Sequence, residues 1–159
     1  MSKVLTAKAN ELFLLMEHMF DKGKTIWIIV SGRSMLPFLR QDLDMVELKR
    51  ATYSDINVGD IVLILRENGE YVLHRVYKKV VDELYLLGDA QQCIEGPIRK
   101  DQIKAVVINI KRENRMISRD SYSLRVLIRL WTLFLPFRSK LLRIYGLLCK
   151  MSVNCSKNE

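Results

Sequence analysis

Leu5, Ala9, Leu12, Phe13, Met16 and Phe20 recur at the three-and-four spacing of one helical face, and Gly23 follows where a left-handed C-terminal cap belongs. The pattern predicts an N-terminal amphipathic helix of about five turns within residues 1–24. His18 and Glu17 lie on its flank and receive no role. After Gly23 the period shortens to that of a strand. Ile26 to Ser31 is β-branched and aromatic, Asp44 to Lys49 alternates Met45 and Glu47 with Val46 and Leu48, and Asp60 to Arg66 is an apolar run behind a Gly-Asp turn. Tyr71 to Lys78, Leu84 to Leu87 and Ile103 to Lys111 complete a set of about six short strands. Glu67-Asn68-Gly69-Glu70 joins two of them, and Asn-Gly between β-type runs predicts a hairpin with a type I′ turn. Turn-length connections predict a mainly β fold: antiparallel and partly closed, barrel-like, spanning residues 25–118.

From Ser121 to Met151 the pattern changes again. Leu124, Val126, Leu127, Ile128, Leu130, Trp131, Leu133 and Phe134 alternate with Arg125 and Arg129, and the longest uncharged run is only Leu130 to Phe137. Eight residues cannot cross a bilayer core of about 30 Å as a helix, and Pro136 would kink or end it. Residues 119–151 therefore read as a basic amphipathic helical segment lying on a membrane. Trp131 and Phe134 would sink to the acyl boundary while Arg125 and Arg129 reach anionic headgroups. The competing reading packs the same apolar residues on the body as core. Residues 152–159 are polar and read as a disordered tail.

Charge sharpens that division. Residues 1–118 hold 18 Lys and Arg against 16 Asp and Glu, and residues 119–159 hold 8 against 2, so +6 of the net +8 belongs to the tail. An anionic partner for the tail follows, and a membrane surface suits it better than nucleic acid, because phosphate tracking gains little from so much Leu and Phe. At 159 residues, 49% hydrophobic and 28% charged, the body has the material for one packed core, which excludes a disordered or collagenous chain. Cys93, Cys149 and Cys155 are odd in number and not spaced as metal-ligand pairs, so neither a disulfide framework nor a zinc ribbon is supported. Lys3, Lys8, Glu11, Glu17 and Asp21 interrupt the first twenty residues, leaving no apolar stretch of signal-peptide or membrane-span length.

One passage stands out chemically. Ser31-Gly32-Arg33-Ser34-Met35-Leu36-Pro37 leaves an apolar strand and breaks into a turn at once, which exposes Ser34. A serine needs a base to become a nucleophile at neutral pH. Of the two histidines, His74 sits in a strand where it shares a face with Val72 and Val76. Alone, it would read as a half-buried histidine bonded to a neighbouring carbonyl.

Four segments together carry more. Gly-x-Ser-Met-x-Pro at Gly32 to Pro37, Val-Gly-Asp-Ile-Val at Val58 to Val62, His-Arg-Val at His74 to Val76 and Leu-Gly-Asp-Ala at Leu87 to Ala90 resemble, in order and spacing, the boxes of type I signal peptidases. The resemblance covers about residues 25–112. His in the third box is similar to the branch of the endoplasmic reticulum, archaea and some Gram-positive bacteria, which pairs Ser with His where the commoner bacterial enzymes pair Ser with Lys. What the resemblance implies is a signal-peptidase-type catalytic fold and a serine endopeptidase with no metal or cofactor. Ser34 would be the nucleophile, His74 the general base and acid, and Asp89 the carboxylate that orients the imidazole. The Ser34 backbone N–H would be an oxyanion donor. The substrate would be an extended signal or leader peptide cut after small residues.

The chain also departs from that pattern. Where relatives with His often carry a second Asp, only Glu95 is on offer, and the position of an auxiliary oxyanion Ser is Gly32. The usual N-terminal span is replaced by the charged helix. Peripheral or monotopic membrane association is the expectation, with the cytoplasmic face favoured. The related self-cleaving repressor domain shares the Ser-Met-x-Pro box but uses Lys as base and usually carries a helix-turn-helix. A catalytically idle, membrane-docked module that only grips peptides is the rival from another class.

Overall fold

Residues 13–21 are helical (α1), and the chain leaves them through the cap that Gly23 was expected to supply. Gly23 takes φ +69°, its N–H bonds the Phe20 carbonyl at 2.9 Å, and the Lys24 N–H reaches back to Met19 O at 3.0 Å. This paired arrangement is a Schellman motif. The computed structural model describes residues 13–133. The predicted turns before Phe13, Phe134 and the tail at 152–159 lie outside the described residues.

Eight strands follow: β1 (Ile26–Ile29), β2 (Asp44–Arg50), β3 (Ile61–Leu65), β4 (Tyr71–Val80), β5 (Glu83–Leu87), β6 (Glu95–Arg99), β7 (Ile103–Arg112) and β8 (Arg115–Ser118). They form one sheet in the order β1-β2-β7-β3-β4-β5-β6, with β8 also paired to β7. Every pairing is antiparallel, as predicted, and the sheet stays open rather than closing on itself.

The sheet is apolar on both faces, which explains why β3 reads as an unbroken run of Ile, Val and Leu. Ile61 and Leu63 join Met16 and Phe20 of α1, Val46, Leu48 and Val107 in one cluster. Their neighbours Val62 and Ile64 join Val76, Leu84, Leu86, Ile98 and Val106 in the other. Alternation along one central strand thus supplies two cores, and a shift of one residue would exchange them.

Two strands and one turn depart from the expectation. β6 contains Gly96 and Pro97, residues that erase a strand signature because one packs nothing and the other cannot donate to the ladder. β8 is only four residues long and mostly exposed. In the β3–β4 hairpin, Gly69 alone has positive φ (+84°), its N–H bonds Arg66 O at 2.9 Å, and Arg66 N–H closes on Glu70 O at 2.9 Å. A type I′ turn needs two successive residues at positive φ. Asn68 does not comply, and the loop is a type I turn followed by a glycine bulge.

The last described element is α2 (Tyr122–Leu133). Leu124, Ile128, Trp131 and Thr132 are half-buried against the body, whereas Val126, Leu127, Leu130 and Leu133 are exposed. One side of α2 thus packs on the body and the other presents apolar residues outward. No described helix is long and apolar enough to cross a membrane.

Candidate active site

Ser34 lies in the irregular segment between β1 and β2, and both ends of that segment are fixed. At the far end Asp44, fully buried, accepts hydrogen bonds from the Arg40 amide (2.9 Å), from Arg40 Nη2 (2.9 Å) and from Arg112 Nη2 (2.7 Å). Burial alone would raise the Asp44 carboxyl, but the bonds from Arg112 and Arg40 outweigh it and hold the group below its ordinary value. Arg112 also binds Phe38 O at 2.7 Å. The near end is held by the turn after β5, where Ala90 N–H donates to Ser34 O at 2.8 Å.

Gly88 makes this close approach possible. A Cβ there would stand 2.8 Å from the Ser34 carbonyl oxygen and 2.7 Å from Gln91 Oε1. Only a residue without a side chain lets the two segments meet, which gives the Leu-Gly-Asp-Ala box a steric reason. His74 lies on β4, which pairs with β5, the strand leading into this turn. Arg75 pairs with Leu87 and Val76 with Leu86, so one more step of that register sets His74 level with Gly88.

The His74 imidazole is 1% exposed, and its Nδ1–H donates to Glu95 Oε2 at 2.9 Å. Glu95 also accepts from Arg66, with Nη2 2.8 Å from the same oxygen. Those Arg66 bonds chiefly keep the Glu95 carboxyl below its ordinary value, and His74 adds to the effect. His74 itself is pushed below 6.5. Burial is the main cause, and the opposing pull of Glu95 does not cancel it. At neutral pH the site therefore holds a neutral imidazole against an ionised carboxylate. With Nδ1 bound to Glu95, Nε2 is the atom left to accept a proton.

Asp89, expected to orient His74, is engaged elsewhere. It is buried, and its two oxygens take a fork from Arg75, Nε at 2.8 Å and Nη2 at 2.6 Å. Arg75 Nη1 adds a bond to Gly59 O at 2.7 Å. Neighbours on a strand point to opposite faces, so Arg75 and His74 cannot serve one carboxylate from the same side. The fork makes Asp89 a structural tie between β4 and the turn that carries Ala90. The carboxylate bonded to His74 is Glu95, brought in by β6, the strand whose Gly-Pro pair concealed its pairing with β5. Arg66, its second partner, was not anticipated; in the sequence it stands beside the hairpin loop next to Glu67 and Glu70, and it also pairs with Glu70 at 3.1 Å.

Among the described residues no hydrogen bond engages the Ser34 hydroxyl, the Ser34 N–H or the Met35 N–H. Two adjacent backbone donors thus stay available beside the nucleophile candidate, as an oxyanion site requires. No cluster of metal-ligating side chains occurs among the described residues.

Trp131, expected to contact lipid, faces the body instead. Its Nε1–H donates to Asp89 O at 3.0 Å, and its ring meets Phe38 edge-on with centroids 5.9 Å apart. Arg125 pairs with Asp120 at 2.6 Å, while Arg129 has no ion-pair partner among the described residues. Residues 3–108, two thirds of the chain, match the model of the family described as Peptidase S24-like. No curated protein matches the chain.

Proposed function

We propose that this chain, which belongs to the Peptidase S24-like family of serine-type peptidases, is a serine endopeptidase that cuts signal or leader peptides through Ser34, His74 and Glu95. The observation that carries the reading is the His74–Glu95 bond at 2.9 Å, with His74 one register step beyond the Arg75–Leu87 pair that leads into the turn bonded to Ser34.

His74 Nε2 takes the Ser34 hydroxyl proton as Oγ bonds to the scissile carbonyl carbon. The carbonyl oxygen becomes an oxyanion facing the Ser34 and Met35 N–H groups. Ionised Glu95 stabilises the imidazolium formed at that moment, and Arg66 keeps Glu95 charged. The C–N bond then breaks, with the His74 proton passing to the leaving amine. Water, deprotonated by the same nitrogen, releases the acyl group and restores Ser34.

The signal-peptidase-like boxes support an extended substrate with small residues before the cut. The outward face of α2 supports work on an anionic membrane. Leu127 and Leu130 are about half exposed there, and Arg125 and Arg129 stand on its flank. Treatment with a fluorophosphonate, read by intact mass and followed by peptide mapping, tests the chemistry. One adduct confined to Ser34 is expected, and Ser34→Ala should remove both the adduct and cleavage of leader peptides. An unlabelled wild type that still binds an extended peptide would establish the idle peptide-binding module instead.

A further inference from the structure

A chain of contacts runs from α2 to the nucleophile. Trp131 Nε1–H bonds Asp89 O, and the next amide along, that of Ala90, bonds Ser34 O at 2.8 Å. On the other flank the Trp131 ring meets Phe38, four residues beyond Ser34. Arg75 closes the circuit, with its guanidinium carbon 5.0 Å from the Phe38 ring centre and its fork on Asp89. One side chain of α2 thus touches both segments that meet at Ser34. We infer that Trp131 is a positioning residue for catalysis: it clamps the Asp89–Ala90 turn onto the Ser34–Phe38 segment and so fixes where the nucleophile stands.

The inference rests on the peptidase reading for its kinetic consequence, though not for its structural one. Leu124 and Ile128 share the body-facing side of α2, and apolar packing there would serve any helix. Trp131 differs in donating a directed hydrogen bond to the backbone of the turn. Without that donor Asp89 O loses its bond, and the turn is freer to drift from Ser34. Trp131 bonds only the Asp89 backbone and leaves its carboxylate on Arg75, so the Asp89 charge that acts on His74 stays in place and the titration of His74 should not respond.

Trp131→Phe in the full chain provides the test, because it keeps an aromatic ring for Phe38 and removes the N–H donor, together with part of the ring area. Expected are a fall of about tenfold in kcat on a leader peptide, KM within about twofold of wild type, and an unmoved pH midpoint. Hydrogen exchange of the Ala90 amide should speed up about tenfold, while amides of β3 keep their wild-type rates. Wild-type exchange at Ala90 would overturn the inference, as would equal acceleration at Ala90 and in β3, which marks a general loss of stability. So would unchanged kcat. If the wild type itself neither cleaves nor takes the fluorophosphonate, the peptidase reading fails alone, and the exchange at Ala90 still decides the clamp.

Discussion

His74 combines two opposing influences, and their balance fixes how the site should respond to pH. Burial favours the neutral ring more strongly than Glu95 favours the charged one. If His74 is the proposed base, kcat/KM should rise with a midpoint below the ordinary histidine value of about 6.5. Glu95→Gln removes the charge that pulls the pKa upward, so the midpoint should move to lower pH still. The same change withdraws the counter-ion of the imidazolium, and kcat should fall by roughly 100-fold. Circular dichroism should stay near wild type, since Glu95 is partly exposed. A full pH–rate profile of both proteins checks the assignment, and a profile shared by the two would return the orienting role to another group. Ser34 and His74 stood out in the sequence because each sits inside a short box whose order survives reading. Glu95 stood out only as the acid on offer where relatives carry a second Asp, because its meeting with His74 depends on β6 joining β5. For Asp89 the box correctly marks a turn, but strand alternation sends the neighbouring Arg75 to bond it, and only its charge reaches His74.

At the scale of elements, the pattern of apolar residues located α1, its glycine cap and six of the eight strands. It failed where elements lack a pattern. β6 carries Gly-Pro, and β8 has little to bury. The Asn-Gly loop was rightly a hairpin, but the identity of its turn depends on the φ of Asn68, which composition does not determine. The Arg75–Asp89 fork works at this scale, since it binds β4 to the turn after β5. Its side chains are 8% and 1% exposed, so removing one partner leaves a buried charge without compensation. Asp89→Ala should cost about 3–5 kcal/mol, measured by urea unfolding. That is a large part of the stability of a domain this size. A change below about 1 kcal/mol, with kcat lost all the same, would show that Asp89 acts on catalysis rather than on the fold.

For the whole molecule, the charge asymmetry and the two-sided α2 belong together. The inward side is tied to the body through Trp131, so the outward side is the one free to meet a bilayer. The pattern alone could not separate them, because apolar residues cover more than one side of this helix and only the packing decides which are taken. Binding to vesicles should accordingly have two separable parts. Each of Arg125 and Arg129 contributes about 1 kcal/mol near an anionic surface, and that part should fade as salt shortens the screening length. Leu127 and Leu130 are 54% and 48% exposed, so burial in the acyl boundary has about half of each side chain left to gain, roughly 1 kcal/mol apiece. The variant Leu127→Ser/Leu130→Ser should then lose about 30-fold in affinity at high salt, where the electrostatic part is screened. Trp131→Phe should bind as wild type, since that ring is already committed to Asp89 and Phe38. Sedimentation with anionic and neutral vesicles across a salt series reads both parts. If the double Ser variant bound as tightly as wild type at high salt, the outward face of α2 would not be the anchor. Weaker binding by Trp131→Phe would mean that the indole leaves the body to enter the membrane, and the clamp on Ser34 would then open whenever the protein docked.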